Sequence, residues 1–322
     1  MNNWQNQKDD TFVDRLFLFL QRCHLRVKRI VPVKKHVFFL ETETGKYMIK
    51  SYETYENVKR QLLFLRALQK TGFRNTSYVE EFPFGVPYLM FENKYWLMMG
   101  YIEHTDLFSF GNETNRRAAQ SLLQQYHMCS RLLSPELRNY IPSTMWLLKW
   151  RQRTATFYQH KSFISSCIDE RLVDCFLKWS TDALDALSIY DFQAFPHTFV
   201  HGDIIEHNFV KHNGELYLID FDCVSYGPIM YDYIKYCYCT LPHMKWSYEA
   251  LYQYKHIRPF LTSKPFLYAL IFPGDLMREW DYFLALSDAR QKRFRESLIQ
   301  FTQHQYEFRL AFVQKLYGII TN

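Results

Sequence analysis

The apolar positions of this chain change period along its length, and the change divides it in two. Residues 14–23 carry Leu16, Phe17, Phe19 and Leu20 at helical spacing and read as a helix packed on the main body. Three short runs follow, 27–33, 36–43 and 46–52, with strand-like composition and Thr44-Gly45 as the turn between the last two. Residues 59–70 return to the helical period with Leu62, Leu63, Leu65 and Leu68, and stop at Thr71-Gly72. Two further strands, 88–92 and 95–101, flank the polar turn Asn93-Lys94. Beyond Asp106 the pattern lengthens into helices, among them 115–133, 169–189, 231–238, 248–254 and 287–316. A single β-like island, 199–224, interrupts them. The expected organisation is a sheet-containing region over residues 1–103 and a mainly helical region over 104–322, with no internal repeat.

Composition narrows the class. A chain of 322 residues that is 48% hydrophobic can bury a large core. Its 28 Phe and 24 Tyr exceed what a minimal core needs and supply flat amphipathic surfaces. The net charge of +6 is spread along the chain, which tilts the expected ligand toward an anion. No zinc-finger, helix-turn-helix or RNA-binding signature appears, so nucleic acid is not an expected partner. The seven cysteines form no CxxC pair and read as reduced thiols. The polar stretch 1–10 lacks the order of a secretory leader, and the apolar stretch 12–20 is short and broken by Asp14 and Arg15. Synthesis in the cytoplasm and no transmembrane segment are expected.

The β-like island holds the chemistry. It reads Val200-His201-Gly202-Asp203-Ile204-Ile205-Glu206-His207-Asn208, turns at Asn213-Gly214, and continues Leu218-Ile219-Asp220-Phe221-Asp222. Asp203 and Asn208 stand five apart, and a hairpin separates them from Asp220. That is the pattern of a phosphoryl-transfer loop: the first Asp orients or deprotonates an acceptor hydroxyl, while the Asn oxygen and the second Asp hold magnesium on the phosphates of ATP. Hard oxygen donors suit that ion. Asp222 either adds to the metal set or caps the turn. His201 reads as a buried structural histidine because Asp203 already fills the role of base, and His207 has no role in the pattern. Cys237 and Cys239 read as packing on a Tyr-rich helix.

These motifs resemble the aminoglycoside phosphotransferase and choline kinase-like group, whose loop reads H-G-D-x-x-x-x-N followed by I-D-F. The resemblance extends to Tyr47-Met48-Ile49-Lys50, similar to the strand whose Lys contacts the nucleotide phosphates. It also takes in the L-x-x-x-H segment from Leu123 to His127, and Gly227-Pro228 with Tyr231-Asp232, similar to a buttress beneath the active site. It implies an α+β, bilobal, protein kinase-like fold: a small β-rich N-terminal lobe and a larger helical lobe with the nucleotide cleft between them. It further implies that the hinge is 98–103, with adenine on the backbone of Met99 and Tyr101. Within the group the chain resembles spore-coat-associated proteins of the CotS and YutH type, which implies a link to the spore coat and to other coat proteins.

The sequence also departs from the group. Pro32-Val33-Lys34-Lys35-His36 stands where a glycine-rich loop would cover the phosphates, leaving Lys34 or Lys35 as side-chain donors unless the turn is simply solvated. No Glu on the helix after Lys50 is placed to pair with it, and Gln61 is neutral. Two functions follow: an ATP- and magnesium-dependent phosphotransferase acting on a hydroxyl of a small molecule or envelope component, or a pseudokinase serving as a coat scaffold. Aminoglycoside binding is disfavoured by the basic run from Lys245 to Lys264, although Asp275, Glu279 and Asp281 are acids that a cationic acceptor would use.

Overall fold

The computed structural model describes residues 3–321, with side chains from residue 11 onward. The stretch 1–10, discussed above for its lack of a leader, lies outside the described side chains. The chain forms two compact units. The first comprises Met1–Leu107, Met128–Ile141 and Phe209–Asp222; the second comprises Phe108–His127, Pro142–Asn208 and Cys223–Asn322.

The first unit opens with helix α1 (Asn3–Arg22) and an antiparallel sheet of β1 (Val27–Lys34), β2 (Val37–Thr42), β3 (Lys46–Tyr52), β4 (Val79–Glu80), β5 (Leu89–Phe91) and β6 (Lys94–Gly100). The order is β1-β2-β3-β6-β4, with β5 also paired to β6. Phe12, Leu16 and Leu20 recur every four residues on α1, so one stripe packs on Phe38, Ile49 and Trp96 of the sheet. Helix α2 (Tyr55–Lys70) starts a turn earlier than its apolar period suggests. The Thr54 hydroxyl accepts the Asn57 amide at 3.2 Å and so caps the first turn. The β5–β6 turn is also displaced by one residue from expectation. Glu92 and Asn93, both in the left-handed region, form a two-residue loop, and Lys94 already pairs with Phe91. β4 is two residues long, too short for a period to register. A second hairpin, β8 (Phe209–His212) and β9 (Glu215–Leu218), turns on Asn213-Gly214 as expected, with φ of 50° and 81°. The Leu218 amide donates to the Asn75 carbonyl at 2.9 Å, which ties this hairpin to the segment after α2.

The second unit is mostly helical. α3 (Glu113–Ser130) leads into α4 (Trp146–Gln159), α5 (Lys161–Ser165) and α6 (Glu170–Ser188). β7 (His197–Val200) then pairs antiparallel with β10 (Ser225–Pro228). α7 (Met230–Thr240), α8 (Tyr248–Tyr252), α9 (Lys264–Ile271), α10 (Gly274–Leu284), α11 (Asp288–His304) and α12 (Tyr306–Thr321) complete it. Aromatics fill this core, as in the stack of Trp150 on Phe272 at 4.1 Å. The helix expected over 287–316 is two helices. They break at Gln305, whose side-chain oxygen accepts the indole N–H of Trp246 at 2.8 Å. Among the described residues no helix is long and apolar enough to cross a membrane.

Candidate active site

In the first unit, β3 alternates its side chains, so Lys50 and Tyr52 share a face. The Lys50 ammonium, 9% exposed as a residue, lies 2.7 Å from Asp220 Oδ1 and 2.5 Å from Asp222 Oδ2. Lys34, at the end of β1, reaches Asp220 Oδ2 at 2.9 Å. Tyr52 donates its hydroxyl to Asp222 Oδ1 at 3.1 Å. The turn that carries both acids is held from α2: Gln61 Nε2 donates to the Phe221 carbonyl at 2.9 Å, and Phe221 packs on Phe64. Asp220 adopts φ of +66°, a conformation that short polar side chains tolerate better than most.

Charge explains why this cluster persists. Burial alone would raise the Asp220 carboxyl, but Lys50 and then Lys34 outweigh it and hold the group well below the usual carboxylate range. Burial likewise opposes the charge on Lys50, and Asp220 and Asp222 more than offset it, so its pKa rises. The Tyr52 hydroxyl is pushed far up, first by burial and then by Asp222, and stays a donor. Two carboxylates that share one ammonium are close enough to share one divalent cation, and their oxygens are of the hard type magnesium takes. The donor set therefore fits that ion.

In the second unit, Asn208 is 1% exposed and spends its amide nitrogen on Asp203, at 2.8 Å to the carbonyl and 3.1 Å to Oδ2. Its Oδ1 accepts no hydrogen bond among the described residues. Glu206 fixes the loop by accepting the Phe110 amide at 2.6 Å and the Ser109 hydroxyl at 2.9 Å. Gly202 has φ of +79°, and a Cβ there would fall 2.6 Å from the Cys223 carbonyl, so the loop requires glycine at this point. Beneath it lies Asp232, fully buried, accepting His127 Nε2 and the amides of His201 and Gly202, each at 2.8 Å. Burial would raise this carboxyl too, yet His127 and the loop donors keep it below its usual value. The histidine of the L-x-x-x-H segment and the aspartate after Gly227-Pro228 are thus direct partners. His201 is fully buried and accepts the Asp203 amide at 3.3 Å, in keeping with a structural role.

Lys34, Lys50, Asp220 and Asp222 therefore come together in the first unit, and Asp203 and Asn208 in the second. Lys35 sits exposed in the β1–β2 turn with no hydrogen bond or ion pair among the described residues. Met99 and Tyr101 are built into the sheet. Met99 is paired with Met48 on one side and Val79 on the other, and the Tyr101 amide donates to the Lys46 carbonyl at 3.2 Å. Lys50 is held by Asp220 and Asp222 in place of a helix glutamate. Sequence reasoning did not assign Tyr52, although the two-residue period sets it beside Lys50. It treated Gln61 only as a neutral residue, and no local signal marks its bond to the Phe221 carbonyl 160 positions away.

A family profile described as "Phosphotransferase enzyme family" matches residues 33–259, more than half of the chain. No curated protein sequence matches it. Solved structures share its fold at low identity. An aminoglycoside phosphotransferase from Alicyclobacillus acidocaldarius is 15% identical, with TM-score 0.70, covering 92% of this chain and 93% of that one. The spectinomycin phosphotransferase APH(9)-Ia, bound to AMP, is 15% identical with TM-score 0.65, covering 88% and 93%. Amicoumacin kinase hAmiN, in complex with AMP-PNP, Ca2+ and Ami, is 15% identical with TM-score 0.59, covering 92% and 96%.

Proposed function

The chain belongs to the phosphotransferase enzyme family, and from that premise we propose that it is an ATP- and magnesium-dependent phosphotransferase acting on a hydroxyl of a small molecule or envelope component. The observation that carries this reading is the pair of carboxylates, Asp220 and Asp222, converging on the Lys50 ammonium. Asp220 and Asp222 are the residues that would hold magnesium, which when bound neutralises charge on the phosphates, and the sequence pattern adds Asn208 to that set. Lys50 and Lys34 supply ammonium donors to phosphate oxygens, and Lys34 does with its side chain what a glycine-rich loop does with its backbone. The base is read against the hinge 98–103, along the backbone of Met99 and Tyr101, where the Tyr101 amide is engaged by the Lys46 carbonyl. Asp203 positions the acceptor hydroxyl. It takes the proton as the acceptor oxygen bonds the terminal phosphorus and the bond from that phosphorus to ADP breaks.

The test is turnover. Asp203→Asn should lower kcat with an accepted alcohol by about 10²-fold or more, because the carboxylate that takes the proton is gone. The magnesium-ATP shift in Tm should survive. A variant with wild-type kcat would refute the role of Asp203.

The turn without glycine, and Lys34 resting on Asp220, favour a second reading: a pseudokinase scaffold, for which the resemblance to CotS and YutH type proteins is the reason to look in the spore coat. The two readings part in sporulating cells. Loss of coat assembly in the Asp203→Asn strain supports the enzyme; normal assembly together with no ATP binding in vitro supports the scaffold.

A further inference from the structure

The face of the second unit around Asp203 carries cations as well as acids, and they differ in how they are partnered. Cys239 of α7 donates its thiol to the Ile204 carbonyl at 3.0 Å, which sets one face of α7 against the residue that follows Asp203. Lys235 lies one turn earlier on that face. It is half-buried and makes no hydrogen bond or ion pair among the described residues. Beside these residues is a cavity of about 560 Å³, lined in part by Ile205, Glu206, Cys239, Arg278, Glu279 and Tyr282.

Each acid here has at least one partner. Arg309 holds Asp275 through two bonds, 2.9 and 2.5 Å, and Arg278 holds Glu279 at 3.1 and 2.8 Å through Nε and Nη2. Glu206 is taken by Ser109 and Phe110. Asp281 faces Arg153 at 3.9 Å. These are the acids that a cationic acceptor would use. Two cationic groups remain uncommitted among the described residues, the Lys235 ammonium and Nη1 of Arg278, beside the second carboxylate oxygens of Glu206 and Glu279. Burial, and then the like charge of Arg278, lower the pKa of Lys235, while Asp203 alone among the nearby carboxylates supports its charge appreciably.

We propose that the acceptor is a hydroxyl compound bearing an anionic group, a carboxylate or a phosphate, and that Lys235 and Arg278 bind that group while Asp203 holds the hydroxyl. The proposal rests on the reading of Asp203 as the acceptor-side carboxylate. A partly dehydrated, unpaired ammonium gains most from a ligand that brings a formal charge and its own acceptor oxygens. An amine at the same point would add repulsion.

The experiment uses the full chain and four probes on one scaffold: glycerol, D-glycerate, sn-glycerol 3-phosphate and 3-amino-1,2-propanediol. Titrations to tens of millimolar follow Tm with and without magnesium and AMP-PNP, and ADP release is followed with magnesium-ATP. Either anionic probe, or both, should stabilise the protein where the neutral and amino probes do not, and which one does so separates carboxylate from phosphate. Lys235→Gln and Arg278→Gln should each weaken that response by about 10-fold or more, the loss of one charge-assisted hydrogen bond. Lys178→Gln, on α6, should not. Lys235→Gln keeps most of the side chain, one atom shorter, and removes an unpaired cation, so it should fold. Equal response to all four probes, a preference for the amine, no response to any, or full response in Lys235→Gln would each overturn the proposal. The magnesium-AMP-PNP shift separates it from the reading beneath it. If that shift is absent while anions still discriminate, the phosphotransferase reading falls and the anion site stands; if it is present without anion preference, only the anion site falls.

Discussion

Asp220, half-buried, and Asp232, fully buried, are both held ionised by their neighbours, and they are built in opposite ways. Asp232 has no exposure, and its partners are an imidazole and two backbone amides, all fixed by the fold of the second unit. Asp220 keeps 20% of its side chain exposed, and its partners are the tips of two lysines in the first unit. Rigid donors cannot be exchanged without moving the backbone. Lysine ammoniums on four-carbon stems can turn from a carboxylate to a phosphate and leave the carboxylate to another cation. Both have depressed pKa values, yet only Asp220 has partners that a ligand could displace, as the proposed chemistry requires.

The largest effect that would test this contrast is on stability. Asp232→Ala strands His127 and the amides of His201 and Gly202 in the interior, and should cost about 3–5 kcal/mol by urea unfolding. A loss below about 1 kcal/mol would mean that the buttress is not structural. Asp220→Ala should behave differently: the protein stays folded, but the magnesium-dependent part of its ATP-induced Tm shift disappears. Asp203→Asn should keep that part. Equal loss in the two variants would erase the distinction between binding and proton transfer.

Much of this contrast was legible in the sequence because the groups that matter are close together along the chain. Asp203 and Asn208 are separated by one short loop, and Asp220 by a hairpin whose Asn213-Gly214 turn identifies itself. Strands β1, β2, β3, β5 and β6 were readable for the same reason, and the two-residue β4 was not. What was hidden depends on distant partners. The absence of a helix glutamate looked like a defect at Lys50, yet Asp222 and Tyr52 supply its surroundings, and Gln61 is used to hold the Phe221 carbonyl. The engagement of the Tyr101 amide by Lys46 follows from strand register, which side-chain pattern alone does not set past the last apolar residue of β6. The break at Gln305 lies inside a continuous amphipathic stretch, where a tertiary bond to Trp246 decides the outcome.

Acid should reveal the same asymmetry more gently. Asp220 has a folded-state pKa below its unfolded value, so its contribution is fully present above the ordinary carboxylate range, near pH 4, and is lost as pH falls through and below it. Asp232 has the same sign of dependence. In Asp220→Ala the fall in stability between pH 5 and the acid limit should therefore be shallower than in wild type, with the remaining slope carried by Asp232 and other acids. An unchanged slope would show that the lysines do not stabilise ionised Asp220.

The smallest effect on stability, and the sharpest on interpretation, belongs to Lys34. Its side chain is 53% exposed while that of Lys50 is 11% exposed, although both meet the same carboxylate. A pair so open to water contributes little to folding, so Lys34→Ala should change stability by about 0.5 kcal/mol or less. Its effect on nucleotide should be larger. If Lys34 supplies a phosphate donor in place of a glycine-rich loop, its loss removes a charge-assisted hydrogen bond at a partly exposed site. The affinity for magnesium-ATP should then fall by roughly 3- to 10-fold. Lys35, adjacent in sequence but without a contact to Asp220, provides the control, and Lys35→Ala should leave both stability and nucleotide affinity near wild type. Equal effects of the two variants on affinity would reduce the turn to a general positive field. No effect of Lys34→Ala would leave its bond to Asp220 as a surface ion pair and remove the substitute for the missing glycines.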